Sequence, residues 1–223
     1  MKRELIKTGD GSWTIQLTDW NEQYHSKHGA IAEAQHVFIK NGLLHFHETA
    51  KPLTLSILEI GFGTGLNALL SMQYADQQEL KIEYHGMEAF PVAQTEWKAV
   101  NYAKAVGMPE SSFESLHSCA WEVPARLSSN FILTKRQQTF DELNEQGVYD
   151  LIYFDAFGPR VQPELWEMEI LKKTYEALKP GGVWVSYCAK GDVRRNLQTL
   201  GFEVERLQGP PGKRHMLRAT KPS

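Results

Sequence analysis

Three carboxylates and three glycines carry the chemistry written in this chain. Glu59 is followed by Gly61, Gly63 and Gly65 at alternate positions, with Asn67 just beyond them. An apolar run over residues 55–58 leads into Glu59, and a helical pattern starts near Leu66. That succession predicts a buried strand, a tight turn and a helix start. Glycines let the backbone turn sharply and remove Cβ atoms where a ligand meets the main chain. The free N–H groups and positive dipole end of the helix suit an anionic group. A second strand pattern, residues 81–88, ends in Glu88. A carboxylate about 20 residues beyond such a loop holds a ribose diol by two hydrogen bonds. A later buried strand, residues 150–154, ends in Asp155-Ala156-Phe157-Gly158-Pro159. An aspartate there can accept an amine hydrogen bond, orient the lone pair and take the proton. Phe157 offers a face on which a planar base can stack.

The glycine spacing departs from the dinucleotide form G-x-G-x-x-G, because the third glycine comes one residue early. As E-x-G-x-G-x-G it resembles the first motif of the class I S-adenosylmethionine (SAM) methyltransferases. The resemblance implies Glu59, Gly61, Gly63, Gly65, Asn67, Glu88 and Asp155 as cofactor contacts. The loop at Asp155 is similar to the (D/N)PP(Y/F) loop of amino-group methyltransferases, which makes Asp155 the candidate catalytic residue.

Strands and helices must alternate to bring these pieces together. The pattern predicts strand 53–60, helix 66–76, strand 81–88 and helix 92–105, with Pro91 near the last helix start. A short helix at 120–127, a strand at 131–137 and a short helix at 141–146 follow. Then come strand 150–154, helix 163–178, a stop at Lys179-Pro180-Gly181-Gly182, strand 183–189 and helix 191–200. Residues 202–207 and 216–220, around Gly209-Pro210-Pro211-Gly212, read as an antiparallel pair. The expected fold is α/β: a Rossmann-like parallel sheet closed by a C-terminal antiparallel hairpin. Residues 1–52 form an N-terminal extension and 53–223 the methyltransferase domain. In the extension, 13–18 reads as a strand, 30–40 as a helix, and 42–46 as a short helix or strand.

At 223 residues, the chain is long enough for one such domain with an elaboration. Its 42% hydrophobic and 23% charged residues are those of an ordinary soluble protein. No apolar run approaches the ~20 residues that span a bilayer, and the N-terminus leads into polar sequence. Cys119 and Cys188 have no metal-ligand spacing, so a reduced, cytoplasmic setting is expected. Histidines crowd the extension at 25, 28, 36, 45 and 47, but no pair fits a ligand motif, and no metal is expected. A net charge of −3 argues against generic nucleic-acid binding while leaving room for a local basic face.

Longer segments resemble one family. Tyr24-His25-Ser26 with Gly29, Glu33 and His36-Val37-Phe38 is similar to its N-terminal signature. Residues 59–67 and 155–159, with Pro163 and Leu165-Trp166, are similar to its core. Lys190-Gly191, Val193-Arg194-Arg195 and residues 209–214 are similar to its C-terminal pieces. The family is the methyltransferase half of the tRNA 5-methylaminomethyl-2-thiouridine biosynthesis proteins (MnmC) and its stand-alone members (MnmD type). The resemblance implies SAM-dependent N-methylation of an aminomethyl group on the wobble uridine, position 34 of tRNA. It also implies the anticodon stem-loop as partner and Tyr24 as a substrate contact. Two departures stand out. The length leaves no room for the flavin-dependent oxidase domain of the bifunctional relatives, and His215 stands where relatives commonly have Glu.

Read physically, Lys190, Arg194 and Arg195 fall at a strand end on the ligand side, and Lys213 and Arg214 on a stiff Pro/Gly loop. Clustered, they would meet an RNA backbone while an unstacked base enters the pocket. Two alternatives remain at this level: a methyltransferase for a small amine or another acceptor, and a nucleotide-cofactor oxidoreductase or non-catalytic Rossmann-like binding module. The early third glycine and the lack of a recognisable hydride-transfer residue weigh against the last.

Overall fold

A computed structural model describes residues 2–223. Strands β1 (Arg3–Lys7), β2 (Trp13–Leu17) and β3 (Glu22–Gln23) form a small antiparallel sheet. The main sheet contains β4 (Thr54–Ile60), β5 (Lys81–Met87), β6 (Ala125–Arg126), β7 (Phe131–Arg136) and β8 (Tyr149–Phe154). It is completed by β9 (Leu178–Ser186), β10 (Glu203–Gln208) and β11 (His215–Thr220), in the order β10-β11-β9-β8-β4-β5-β7-β6. The strands from β9 to β7 in that order run parallel. The β10–β11 hairpin closes one edge antiparallel, as the sequence pattern predicts.

Period-two alternation explains why the sheet is covered on both faces. Leu55, Ile57, Leu151 and Tyr153 point into one apolar layer, built with helices Leu66–Gln78 and Glu110–Ser118. Leu58, Ile60, Ile152 and Phe154 point into the other, with helices Met168–Ala177 and Gly191–Thr199. The chain leaves β4 for β5 on one side and returns through β8 on the other. That reversal is a topological switch point, and both predicted catalytic loops leave the sheet there.

The extension supplies part of the first layer. Residues 30–50 form one continuous helical rod whose middle, Gln35–Leu44, is π-helical. Ala34, Phe38, Leu43 and Phe46 join the core beside Leu55 and Tyr153. Residues 42–46 therefore lie inside this rod and do not form a separate element.

Several predicted elements differ. Helix 92–105 is two short helices, Gln94–Trp97 and Tyr102–Val106, and Pro91 precedes both. The break is tertiary: Val100 is buried and Asn101 Oδ1 accepts the Trp13 N–H at 3.1 Å. The helix expected at 120–127 lies earlier, at Glu110–Ser118, behind Pro109. Pro124 is incompatible with a helix interior, and the chain there passes into β6. At 141–146 there is only a single 3₁₀ turn, Phe140–Glu142, closed by Thr139 and Glu142. Helix 163–178 is a 3₁₀ turn, Pro163–Trp166, followed by Met168–Ala177, because Trp166 is buried with its Nε1–H on Phe157 O at 2.8 Å. The Lys179–Gly182 segment is an irregular start of β9, where pairing with β8 shifts register. The 183–189 strand accordingly begins at Leu178 and ends at Ser186.

Candidate active site

The bend after β4 is held by backbone bonds that only a glycine-rich chain can make. Gly61 has φ +93 and donates its N–H to Met87 O at 3.0 Å, and Phe62 donates to the same oxygen at 2.9 Å. A Cβ on Gly61 would sit 2.6 Å from the carbonyl oxygen of Asp155, so the glycine bend and the Asp155 loop touch at this glycine. Gly63 donates to Glu88 Oε2 at 2.9 Å, and Glu88 Oε1 accepts the Phe90 N–H at 2.9 Å. Glu88 thus ties the end of β5 to the bend.

A buried histidine and a half-buried one brace the next residue. His25 Nε2 meets Thr64 Oγ1 at 2.8 Å, and His117 Nε2 donates to Thr64 O at 3.1 Å. His117 also stacks on Trp97, with centroids 4.5 Å apart. Burial holds both imidazoles down at about 4, against an ordinary 6.5. Above pH 6.5 neither the folded nor the unfolded chain protonates them, and their contribution to stability is intact. As pH falls toward 4 the unfolded chain takes the protons first and stability is lost. Urea midpoints are therefore expected to fall less over that range in His117→Gln than in the parent protein; equal declines would refute the assignment.

The Asp155 loop is equally constrained. Asp155 N–H donates to Ile60 O at 2.9 Å, and Tyr187 O–H donates to Ala156 O at 2.8 Å. Asp155 Oδ2 accepts from Asn67 Nδ2 at 2.8 Å, and the same nitrogen donates to Glu59 Oε1 at 2.8 Å. Burial, with the charge of Glu33, pushes the Asp155 carboxyl up to about 7; the Asn67 hydrogen bond and Lys213 act against this. Glu59 is buried, and burial together with the neighbouring charge of Asp155 raises its carboxyl well above the usual range.

These loops open on a cavity of about 730 Å³, within the range of small-molecule sites. Of the residues singled out in the sequence, Tyr24, Gly61, Gly63, Glu88, Asp155, Phe157 and Lys213 line it. Tyr24 and Phe157 meet edge to face at 5.1 Å, and Trp20 meets Phe157 at 6.2 Å, making an aromatic wall. Burial pushes the Tyr24 hydroxyl up to about 12, so it stays protonated. Glu59, Gly65 and Asn67 lie outside the lining. Lys190, Arg194, Arg195 and Arg214 also lie outside it.

The five basic residues do not form one free face. Lys213 forms an ion pair with the buried Glu33 and lies 3.8 Å from the Tyr187 ring centroid. Arg195 pairs with Asp192, and Arg194 is partly buried. Lys190 and Arg214 are exposed and make no ion pair among the described residues. Tyr187, Trp20 and Asp141 also line the cavity, and no motif in the sequence marks them. A tyrosine ending a buried strand carries no local signal. Glu33 was visible only as part of the N-terminal signature. Of the histidines of the extension, His25 and His28 line the cavity, whereas His36 bonds Gln208 O at 2.8 Å and His47 bonds Tyr74 O–H at 2.9 Å. Among the described residues no three His, Cys, Asp or Glu come together as a metal-holding group, and no helix is long and apolar enough to cross a membrane.

The cavity fits SAM. Gly61 and Gly63 leave a cradle that Cβ atoms would fill, Glu88 brings a carboxylate for a diol, and Phe90, 71% exposed, brings an apolar face. A family model described as S-adenosyl-L-methionine-dependent methyltransferase matches residues 120–222, the half that carries the Asp155 loop. The tRNA 5-methylaminomethyl-2-thiouridine biosynthesis bifunctional protein MnmC of Pseudoalteromonas atlantica is 29% identical over 95% of this chain and 33% of its own length. Its counterpart from Hydrogenovibrio crunogenus is 30% identical over 89% of this chain and 31% of its own length. The chain thus spans about a third of the length of the curated relatives it matches. The crystal structure of MNMC2 from Aquifex aeolicus superposes with a TM-score of 0.78 at 26% identity, covering 100% of this chain and 72% of that one. The glycine corner, the carboxylate loop facing it and these matches together make the chain similar to S-adenosyl-L-methionine-dependent methyltransferases, over residues 120–222, and to about a third of the MnmC proteins.

Proposed function

We propose that the chain methylates the primary amine of a 5-aminomethyl group on the wobble uridine, position 34 of tRNA, giving the 5-methylaminomethyl form. The observation that carries this reading is a carboxylate, Asp155, on the wall of the cavity that the glycine corner also lines, beside an aromatic wall. The names of the curated relatives contain the same product. SAM, when bound, supplies an electrophilic methyl on a sulfonium; Gly61, Gly63, Glu88 and Phe90 would hold it.

The remaining work falls to side chains of this chain. An ammonium has no lone pair, so the acceptor must be neutral when the methyl arrives. Asp155 accepts the amine N–H, aims the lone pair and takes the proton. Phe157, Tyr24 and Trp20 hold the planar uracil, and stacking of this kind contributes about 1–3 kcal/mol per base. Lys190 and Arg214, exposed on the C-terminal side, contact the anticodon backbone, while Lys213 holds the cavity wall through Glu33.

With Asp155 near 7, kcat/KM is expected to show an ionisation at about 7 below which it falls, because only the carboxylate accepts the proton; the ionisation of the substrate amine adds to the profile separately. A profile flat from pH 6 to 8 would remove Asp155 as the acceptor. The direct test gives purified protein labelled SAM and tRNA bearing 5-aminomethyluridine. Label on the side-chain amine is the expected result. SAM binding without transfer would overturn the RNA substrate, and transfer to small amines alone would support a small-amine enzyme.

A further inference from the structure

Among the described residues, the amide of Asn67 is the one group that hydrogen-bonds both Asp155, on the cavity wall, and Glu59 behind it. Its nitrogen has two hydrogens, and both are used: one on Glu59 Oε1 and one on Asp155 Oδ2, each at 2.8 Å. Asn67 is 1% exposed near the start of helix Leu66–Gln78, and Glu59 is 1% exposed at the end of β4. Neither lines the cavity. Glu59 Oε2 and Asn67 Oδ1 have no hydrogen-bond partner among the described residues, and Glu59 makes no ion pair there. A buried carboxylate with one hydrogen bond and no cation is too costly to stay charged.

We propose that Asn67 is a positioning residue for Asp155, that Glu59 serves only to orient Asn67, and that neither touches the cofactor. The inference rests on the reading of Asp155 as the group that receives the amine. An uncharged Glu59 still accepts through Oε1, and this turns the amide so that N–H faces Asp155. With the amide reversed, the Asn67 oxygen would confront the Asp155 carboxylate. One oxygen of Asp155 is thereby held, and Oδ1, which takes no hydrogen bond from the described residues, is left for the substrate.

Donation from Asn67 favours the charged form of Asp155. The other groups acting on Asp155 come from several elements. Glu33 in the N-terminal rod raises it, and Lys213 in the C-terminal loop lowers it. The charge of Asp155 in turn raises Tyr84 in β5, Tyr102 in helix Tyr102–Val106, Tyr187 just after β9 and Glu59 in β4. All of these remain when Asn67 is replaced, so the one hydrogen bond lost to Asp155 is the Asn67 donation, and the bond to Glu59 is lost with it.

The test follows the Asp155 carboxyl by ¹³C NMR titration of aspartate-labelled protein without substrate, assigned by its loss in Asp155→Asn. Calorimetric SAM affinity and pH–rate profiles accompany it. In Asn67→Leu, and in Asn67→Ala as the smaller variant, the midpoint is expected to rise by about one to two pH units, the equivalent of a lost hydrogen bond to a charge. Activity at pH 7 falls by roughly five- to fiftyfold and recovers toward pH 9, while SAM affinity stays within about threefold. Glu59→Gln, which keeps an uncharged acceptor, leaves the midpoint in place, whereas Glu59→Leu reproduces the Asn67 variants. An unchanged midpoint in both Asn67 variants, or loss of SAM affinity as their whole effect, overturns the proposal. A lowered midpoint in Glu59→Gln does so too, because it would mean that Glu59 carries charge. If the midpoint moves as expected but no RNA is methylated, the positioning stands and the acceptor assignment fails.

Discussion

Asp155→Ala is expected to lower kcat by two to four orders of magnitude, the usual range for a positioned general base, while SAM affinity barely changes. The asymmetry follows from where Asp155 is held. Its backbone is fixed by Ile60 O and its neighbour Ala156 by Tyr187, so removing the carboxylate leaves the loop in place. The Asn67 amide loses one acceptor but keeps Glu59. What disappears is the group proposed to receive the amine, an interaction that would matter only as the methyl is transferred. Single-turnover rates and calorimetric SAM binding on the same preparations decide the matter. Equal losses in both would make Asp155 a cofactor ligand.

Gly61→Ala is expected to abolish both SAM binding and turnover, and to destabilise the fold as well. Two costs coincide at this residue. Its φ of +93 is a conformation that L side chains rarely adopt, at about 1–3 kcal/mol. The new methyl would also stand 2.6 Å from the Asp155 carbonyl oxygen, a backbone atom that moves only if β4 and β8 separate. Gly107→Ala isolates the first cost, because Gly107 has φ +73 and a methyl added there would meet nothing within 4 Å. That control should be destabilised in urea by about 1 kcal/mol and bind SAM normally. If Gly61→Ala matched it in both measurements, the contact between the two loops would have no part in function.

The legible parts of this chain are those set by short-range rules. Alternate glycines after an apolar run specify a strand, a bend and a helix start, and Leu66–Gln78 begins where the pattern puts it. A carboxylate after a buried strand lies at the ligand edge of a parallel sheet, so Glu88 and Asp155 both reach the cavity. The closing hairpin is written as alternation around a Pro/Gly turn. Long-range partners decided the rest. Helix 92–105 breaks because Asn101 bonds to Trp13, far away in sequence. Lys213 reads as a free cation until the fold brings Glu33 against it, and the two are 180 positions apart. Asn67 reads as one more residue of a cofactor motif until the sheet sets Glu59 and Asp155 on either side of its amide. Local sequence determines which groups stand at the end of each strand. Only packing determines which of their hydrogen bonds and charges are already satisfied, and so which remain free to act.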